Sequence, residues 1–344
     1  MITVVDNITY LLDSAKKCAT VTKSILPYSG DIIIPAAVSA GGAEYAVVDI
    51  LDEAFKDCTA LRSVVLGDNI DSIGISAFEG CGMLSSVKFN DALHAVGLQA
   101  FKGCTSLVEV VFPPKVLVIG RSAFAGCTAL EKACLPDNLI NIEPSLFDGC
   151  SSLERISIGA LVDTIGEYAF CGCLSLKEAV LPDGLLSIEG WAFRDCASLA
   201  SVSLPGSVAS VKKGAFWGCS SLEEFELPGG VNMLDQGVLA NCASLKKVTL
   251  HNGVLSIGYG AFYNCSAIES IALPAAVVNV GDQAFRSCRA LRELRVLCEA
   301  APMCSGDIAD ADVYARTLLL VPAGKVGEYG FARGWDRFGN VEEI

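Results

Sequence analysis

One feature limits what this chain can become: a clock of fixed period. Phe55, Phe78, Phe101, Phe124, Phe147, Phe170, Phe193, Phe216, Leu239, Phe262 and Phe285 fall 23 residues apart at every step. A cysteine follows three places after each, from Cys58 to Cys288, and a leucine or isoleucine three places after that, from Leu61 to Leu291. Ten successive intervals carry no insertion. Self-similarity at such a period is the signature of a repeat architecture. A single 23-residue unit cannot bury its own Phe, Leu and Ile. Units stacked in register can, by laying like residues over like. One inserted residue would throw a column out of phase, so the constant period reads as a packing constraint.

One lap, AFCGCLSLKEAVLPDGLLSIEGW at 169–191, shows the anatomy. Leu176, Ala179 and Leu181 alternate toward their end in the manner of a short strand with one buried face. Pro182 then stops the ladder, because proline lacks the N–H that pairing needs; the same column holds proline at 113, 136, 205, 228 and 274. Leu185 and Ile188 suit a short extended return. Ala-Phe-x-Gly-Cys suits a tight corner of one helical or 3₁₀ turn. The expected fold is a repeat solenoid: a right-handed coil of 23-residue units, about twelve of them, with a parallel β-sheet on one face, short turns elsewhere and a cap at each end.

The unit A-F-x-x-C-x-x-L-x-x-V-x-L-P resembles the leucine-rich repeats of the bacterial surface antigen A-like (BspA-like) family. CTSLVEVVFPPKVLVIGRSAF (104–124) and CASLASVSLPGSVASVKKGAF (196–216) carry the likeness, which extends over residues 31–298. The segment LLLVPAGKVGEYGFARGWDRFGNVEEI (318–344) resembles the terminal segment of such proteins. Its Phe331, Trp335 and Phe338 recur at i, i+4 and i+7, a spacing that places them on one face of a short helix over the last coil. Residues 1–30 read as a capping hairpin with ITYLLD and CATVTK as strands, 31–298 as the solenoid and 299–344 as the C-terminal cap. The first unit, 32–50, is about nine residues longer than the others. The resemblance implies a non-enzymatic solenoid of adhesion and protein binding at the surfaces of host-associated microbes. It brings no catalytic, cofactor-binding or metal-binding residues with it.

Composition narrows the function classes. A net charge of −14 repels phosphate backbones and anionic membranes, so nucleic acid is excluded as a partner class. No stretch reaches the length of about 18 apolar residues that a spanning helix needs. The N-terminus lacks the basic and apolar regions of a secretory leader. The expected location is therefore the surface or the exterior if a leader has been removed, and the cytoplasm otherwise. Eleven of the sixteen cysteines belong to the 23-residue column. One thiol per coil gives no convergent metal site, and spacing near 4.8 Å is too wide for a ladder of disulfides. The column reads as a small buried hydrophobe. Of the rest, Cys298 and Cys304 could pair with each other.

No phosphate-cradling loop, zinc-protease motif or nucleophile elbow is present, and His94 and His251 are the only histidines. A pair such as Glu223 and Glu224 could in principle serve acid–base work in a carbohydrate-active enzyme, but solvated strand faces explain it more simply. The strand columns give the better functional lead. Inward positions are fixed, whereas outward positions vary freely, running Glu178, Ser201, Glu224, Lys247, Ser270 and Glu293 in one column. A fixed scaffold with a variable face is how repeat proteins bind partners. The expected binding patch is Glu223, Glu224 and Glu226 beside Lys246 and Lys247, whose mixed charge suits a protein. The expected function is a non-catalytic, adhesin-like protein-interaction module acting as a monomer on a host matrix or cell-surface protein. An intracellular scaffold is the alternative within the binding class.

Overall fold

In the computed structural model, which describes all residues from Met1 to Ile344, the sequence period becomes the pairing register. Ser72 lies beside Ala95 and Ala95 beside Val118 in one parallel ladder. Glu109 lies beside Lys132 and Lys132 beside Arg155 in another. Each partner is 23 residues on, so the expected solenoid of 23-residue coils with parallel sheets is what the chain forms. Two units make it up, Met1–Ser175 and Leu176–Ile344.

Within a coil the cause of each part is local. In Lys132–Cys134 the side chains alternate, with Lys132 exposed and Ala133 buried, as a pleated strand on an apolar core must. The Pro136 column ends that strand, and a two-residue return such as Asn141–Ile142 pairs on the second ladder. The corner is tighter than a helix. Lys102 N–H donates to Gln99 O, Cys104 N–H to Phe101 O and Leu107 N–H to Cys104 O, all i→i−3 bonds at 3.0–3.1 Å. That is the bonding of a 3₁₀ turn, broken by two residues in the left-handed region, Gln99 (φ 56°) and Gly103 (φ 73°). Glycine bears such a φ without strain. Over the 103 column the chain uses Gly, Asp, Asn or Ser. Over the 99 column it forces even Tyr168 and Trp191 to φ 57° and 54°.

The first unit begins with three antiparallel strands, β1 (Ile2–Val5), β2 (Ile8–Asp13) and β3 (Cys18–Val21). β3 then runs parallel to Ala43–Ile50, which runs parallel to Ser72–Ile73. In this way an antiparallel start is handed to the parallel stack. The surplus residues of the first lap form a hairpin, Ala37–Ala40 against Ala43–Ile50, around Gly41 and Gly42 at φ 58° and 77°. Inside, the phenylalanine column is a stack of rings. Phe55, Phe78, Phe101 and Phe124 sit 4.8, 4.9 and 5.1 Å apart by centroid, with planes within 9°.

The second unit is built of coils of the same kind and then changes style. After the strand Glu293–Val296 come helix α1 (Ala311–Arg316), the strand Leu318–Val321, helix α2 (Val326–Tyr329) and the strand Asn340–Glu343. Both later strands add to the parallel sheet. Tyr329 and Trp335 are buried there, donating to Cys298 O at 2.9 Å and Pro302 O at 2.7 Å. The aromatic run does not share one helix face. α2 ends at Tyr329, Gly334 turns the chain at φ 82°, and Phe331 is left 93% exposed while Trp335 and Phe338 turn inward.

Candidate binding face

The ladder of thiols is where reactive chemistry would first be sought, and its environment forbids it. Cys81 Sγ donates to Phe55 O at 3.0 Å, Cys104 to Phe78 O at 3.2 Å and Cys127 to Phe101 O at 3.2 Å. The second unit repeats the bond, Cys242 to Phe216 O at 3.3 Å and Cys265 to Leu239 O at 3.1 Å. Each carbonyl already accepts the corner's own N–H, so the thiol is a second donor reaching from the next coil. Burial pushes Cys81, Cys127 and Cys288 up to about 12, because a thiolate there would lose its water. A thiol held so far above neutral pH is not a nucleophile. Cys298 and Cys304, pushed up to about 11 and about 12, carry no disulfide: Cys298 donates to Pro274 O and Cys304 to Pro302 O. The small-hydrophobe reading of the column was therefore incomplete, since these residues also close the coil-to-coil hydrogen bonding.

The outward strand face of the second unit is built by the alternation of Glu224–Glu226. Glu224 and Glu226 are exposed and Phe225 is buried between them. Lys247 is the register partner of Glu224. The structure places Glu223 against Lys246 at 3.0 Å and Glu224 against Lys247 at 3.7 Å. Both pairs are more than half exposed, so each is worth at most about 1 kcal/mol. The five residues singled out from sequence do come together, yet four of them neutralise one another. Glu226 has no cation within ion-pair distance and carries the net charge of the patch.

Sequence reasoning missed the shape beneath that patch. A groove of about 600 Å³ opens there, lined by Val202, Leu204, Phe225 and Leu227 below and by Ser201, Ser203, Glu224, Glu226, Lys247, Thr249 and His251 around its rim. It exists because the outer ladder is interrupted. Glu178–Ala179 pairs with Ser201–Val202 and Glu224–Glu226 pairs with Lys247–Thr249, but the two pairs do not join each other. Val202 and Leu204 are half-buried in consequence, where the matching Ala179 and Leu181 are buried.

Phe225 stands at the opening. It occupies the inward column that neighbouring coils fill with Ala179, Val202, Val248 and Ile271, and it stands edge-on to Phe216 at 5.4 Å. In the first unit the outer ladder stops between Ser86–Lys88 and Glu109–Val111, beside Phe89 and Phe112, which stack at 5.2 Å but belong to the column of Leu204 and Leu227. A further gap, beyond Lys247–Thr249, has no aromatic beside it and no account in side-chain size. His251 is no general base. Nδ1 accepts from Gly253 N–H at 3.0 Å and Nε2 donates to Val231 O at 2.8 Å, so both ring nitrogens are committed.

Known proteins agree with this construction. The family model of the BspA type leucine rich repeat region (6 copies) matches residues 48–177 and 163–292. A leucine-rich repeat protein from Bacteroides ovatus is 24% identical, with 99% of each chain covered and a TM-score of 0.66. A leucine rich cell surface protein from Faecalibacterium prausnitzii is 27% identical over 86% of this chain and 94% of that one, with a TM-score of 0.52. The pneumococcal vaccine antigen PcpA is 16% identical, covering 100% and 98%, at 0.50. No protein of curated function matches the chain. With the repeat matched over more than half its residues, the chain belongs to the BspA-type leucine-rich repeat family.

Proposed function

We propose that the chain is a non-catalytic protein-interaction module, adhesin-like and displayed at a cell surface, that grips a protein partner with the outward face of its strands. The observation that carries this reading is the contrast between columns. The inward Cys column is unbroken and the Phe and Leu columns depart only at Leu239 and Ile268, while outward positions pass from Ser to Glu, Lys and Arg. Glu223, Glu224, Glu226, Lys246 and Lys247 form the proposed contact patch, and residues 1–30 and 299–344 act as the caps that keep the ends of the stack from water. Family membership and the cell-surface description of the Faecalibacterium protein support the reading.

The test is capture of purified host matrix and cell-surface proteins on the immobilised chain, measured by surface plasmon resonance. Exposed charges at a protein interface mainly set on-rate and orientation. Lys246→Glu with Lys247→Glu should therefore slow association with the captured partner by about tenfold. A partner that binds the double variant at the wild-type rate and affinity sinks the assignment of this face.

A further inference from the structure

In the last 23-residue coil, burial runs with a period of three. Phe285, Cys288 and Leu291 are buried, and the residue after each, Arg286, Arg289 and Arg292, is exposed. The bonding of the corner sets that period: Cys288 N–H donates to Phe285 O at 3.3 Å and Leu291 N–H to Cys288 O at 3.1 Å. Side chains three apart eclipse in such a turn, so the columns that bury Phe, Cys and Leu bring the three arginines onto one outer edge. Arg316 adds a fourth guanidinium, its Nη2 donating to Cys288 O at 2.9 Å and its Nε buried without a partner. No other coil has a cation at all three positions; the coil before it reads Tyr263, Ser266 and Glu269.

These arginines also lack the acids that neutralise their counterparts. In the same columns of other coils, Lys56 and Lys102 stand 3.2 and 3.9 Å from Glu79, Arg62 2.9 Å from Asp31, Arg194 3.2 Å from Asp195 and Lys246 3.0 Å from Glu223. Arg286, Arg289, Arg292 and Arg316 have no carboxylate within ion-pair distance. Glu293 holds Arg295 at 3.3 Å, and Asp310 Oδ2 accepts from Ser287 N–H at 3.2 Å. Unpaired guanidinium forks fit carboxylates two bonds at a time. Spacing selects what carries them. A turn of this kind rises about 2 Å per residue, which puts successive arginines on the order of 6 Å apart. Alternate side chains of an extended peptide stand about 6.6 Å apart. The net charge of −14 meanwhile repels long polyanions, so a short acidic stretch suits the row better than DNA or an anionic membrane.

We infer that the edge formed by Arg286, Arg289 and Arg292 takes an extended segment of a protein partner that carries Asp or Glu at alternate positions. Each carboxylate meets one guanidinium, and Arg316, fixed on the Cys288 carbonyl, adds charge beside Arg289. The segment lies along one coil on its outer surface, so no strands have to part to admit it. This rests on the chain being a protein-interaction module, and adds a second contact surface with the chemistry that it selects.

The test uses the full chain and a fluorescein-labelled nonapeptide of alternating glutamate and serine, followed by fluorescence anisotropy at physiological salt, where charges beyond about 8 Å are screened. Binding is expected to saturate. It should weaken at least about tenfold when Arg286→Gln, Arg289→Gln and Arg292→Gln are combined, exposed substitutions whose fold is checked by an unchanged thermal midpoint. A peptide with the same glutamates gathered in one unbroken run should bind at least about threefold more weakly, because its carboxylates miss the spacing. No binding, an unaffected triple variant or equal binding of the unbroken run would overturn the inference. So would heparin or duplex DNA that displaces the peptide and binds more tightly, since the row would then be a site for polyanions at large. Those failures leave the wider reading separate. If Lys246→Glu with Lys247→Glu still impairs capture of a matrix protein, the arginine edge alone falls.

Discussion

At the scale of the residue, one thiol per coil couples stability to alkaline pH. A thiol unfolds into water with an ordinary ionisation near 9, whereas burial holds Cys81 and Cys127 protonated up to about 12. The folded state therefore keeps a proton that the unfolded state gives up, and stability must fall as pH rises between these values. Each such thiol withdraws about 1.4 kcal/mol per pH unit in that window. Below pH 9 it contributes its full share and no slope. Cys104, Cys150 and Cys173, held well above the ordinary value by the same burial, act in the same direction. The urea midpoint should thus be flat from pH 7 to 8.5 and fall steeply between pH 9.5 and 11. A midpoint that stays level to pH 11 would mean that these thiols are hydrated in solution. The column and its burial were legible in the sequence, because the period alone puts it inside. The hydrogen bond to the carbonyl of the preceding coil was not, because spacing says which residues share an edge and nothing of where Sγ points.

At the scale of the element, sequence conveys strand order well and strand continuity poorly. Alternation and the proline column place Glu224–Glu226 and its neighbours correctly, and the register follows from the period. Whether adjacent strands bond is not encoded in a pattern of apolar and polar positions. For the same reason the patch of Glu223, Glu224, Glu226, Lys246 and Lys247 was readable as a set, while the groove between Val202 and Phe225 was not. The C-terminal aromatics teach a similar lesson. An i, i+4, i+7 spacing implies a helix face only if the helix persists, and glycine at 330 and 334 ends it. Volume makes the gap testable. Phe225→Val should let Leu204 N–H reach Glu226 O, and the slowing of amide exchange at Leu204 should be at least about tenfold. The lost ring costs stability, by up to about 3 kcal/mol, offset in part by the regained bond. If Leu204 exchanges as fast in the variant as in the parent, Phe225 is not what holds the coils apart.

At the scale of the whole molecule, a stack of like units has an energy that is nearly a sum over coils and the contacts between successive coils. Length and phase then matter in different ways. Removing residues 131–153 takes out one full lap and joins Leu130 to Glu154. The strand Glu109–Val111 then meets Arg155–Ser157 in the register that Lys132–Cys134 had with each. Every column survives the cut: Cys173 would find Phe124 O in place of Phe147 O, to which it now donates at 3.3 Å. Even the outward faces agree, because Glu109 would lie beside Arg155. Deleting Lys102 alone removes far less material but displaces Cys104 and Leu107 from positions where both are buried. Core columns tolerate such a slip poorly, since a one-residue shift turns inward side chains toward water. The 23-residue deletion should therefore unfold cooperatively in urea, with its slope reduced roughly in proportion to the surface removed. The single deletion should lose several kcal/mol or fail to fold. The reverse order of stability would show that position along the chain, rather than phase between neighbouring laps, holds the stack together.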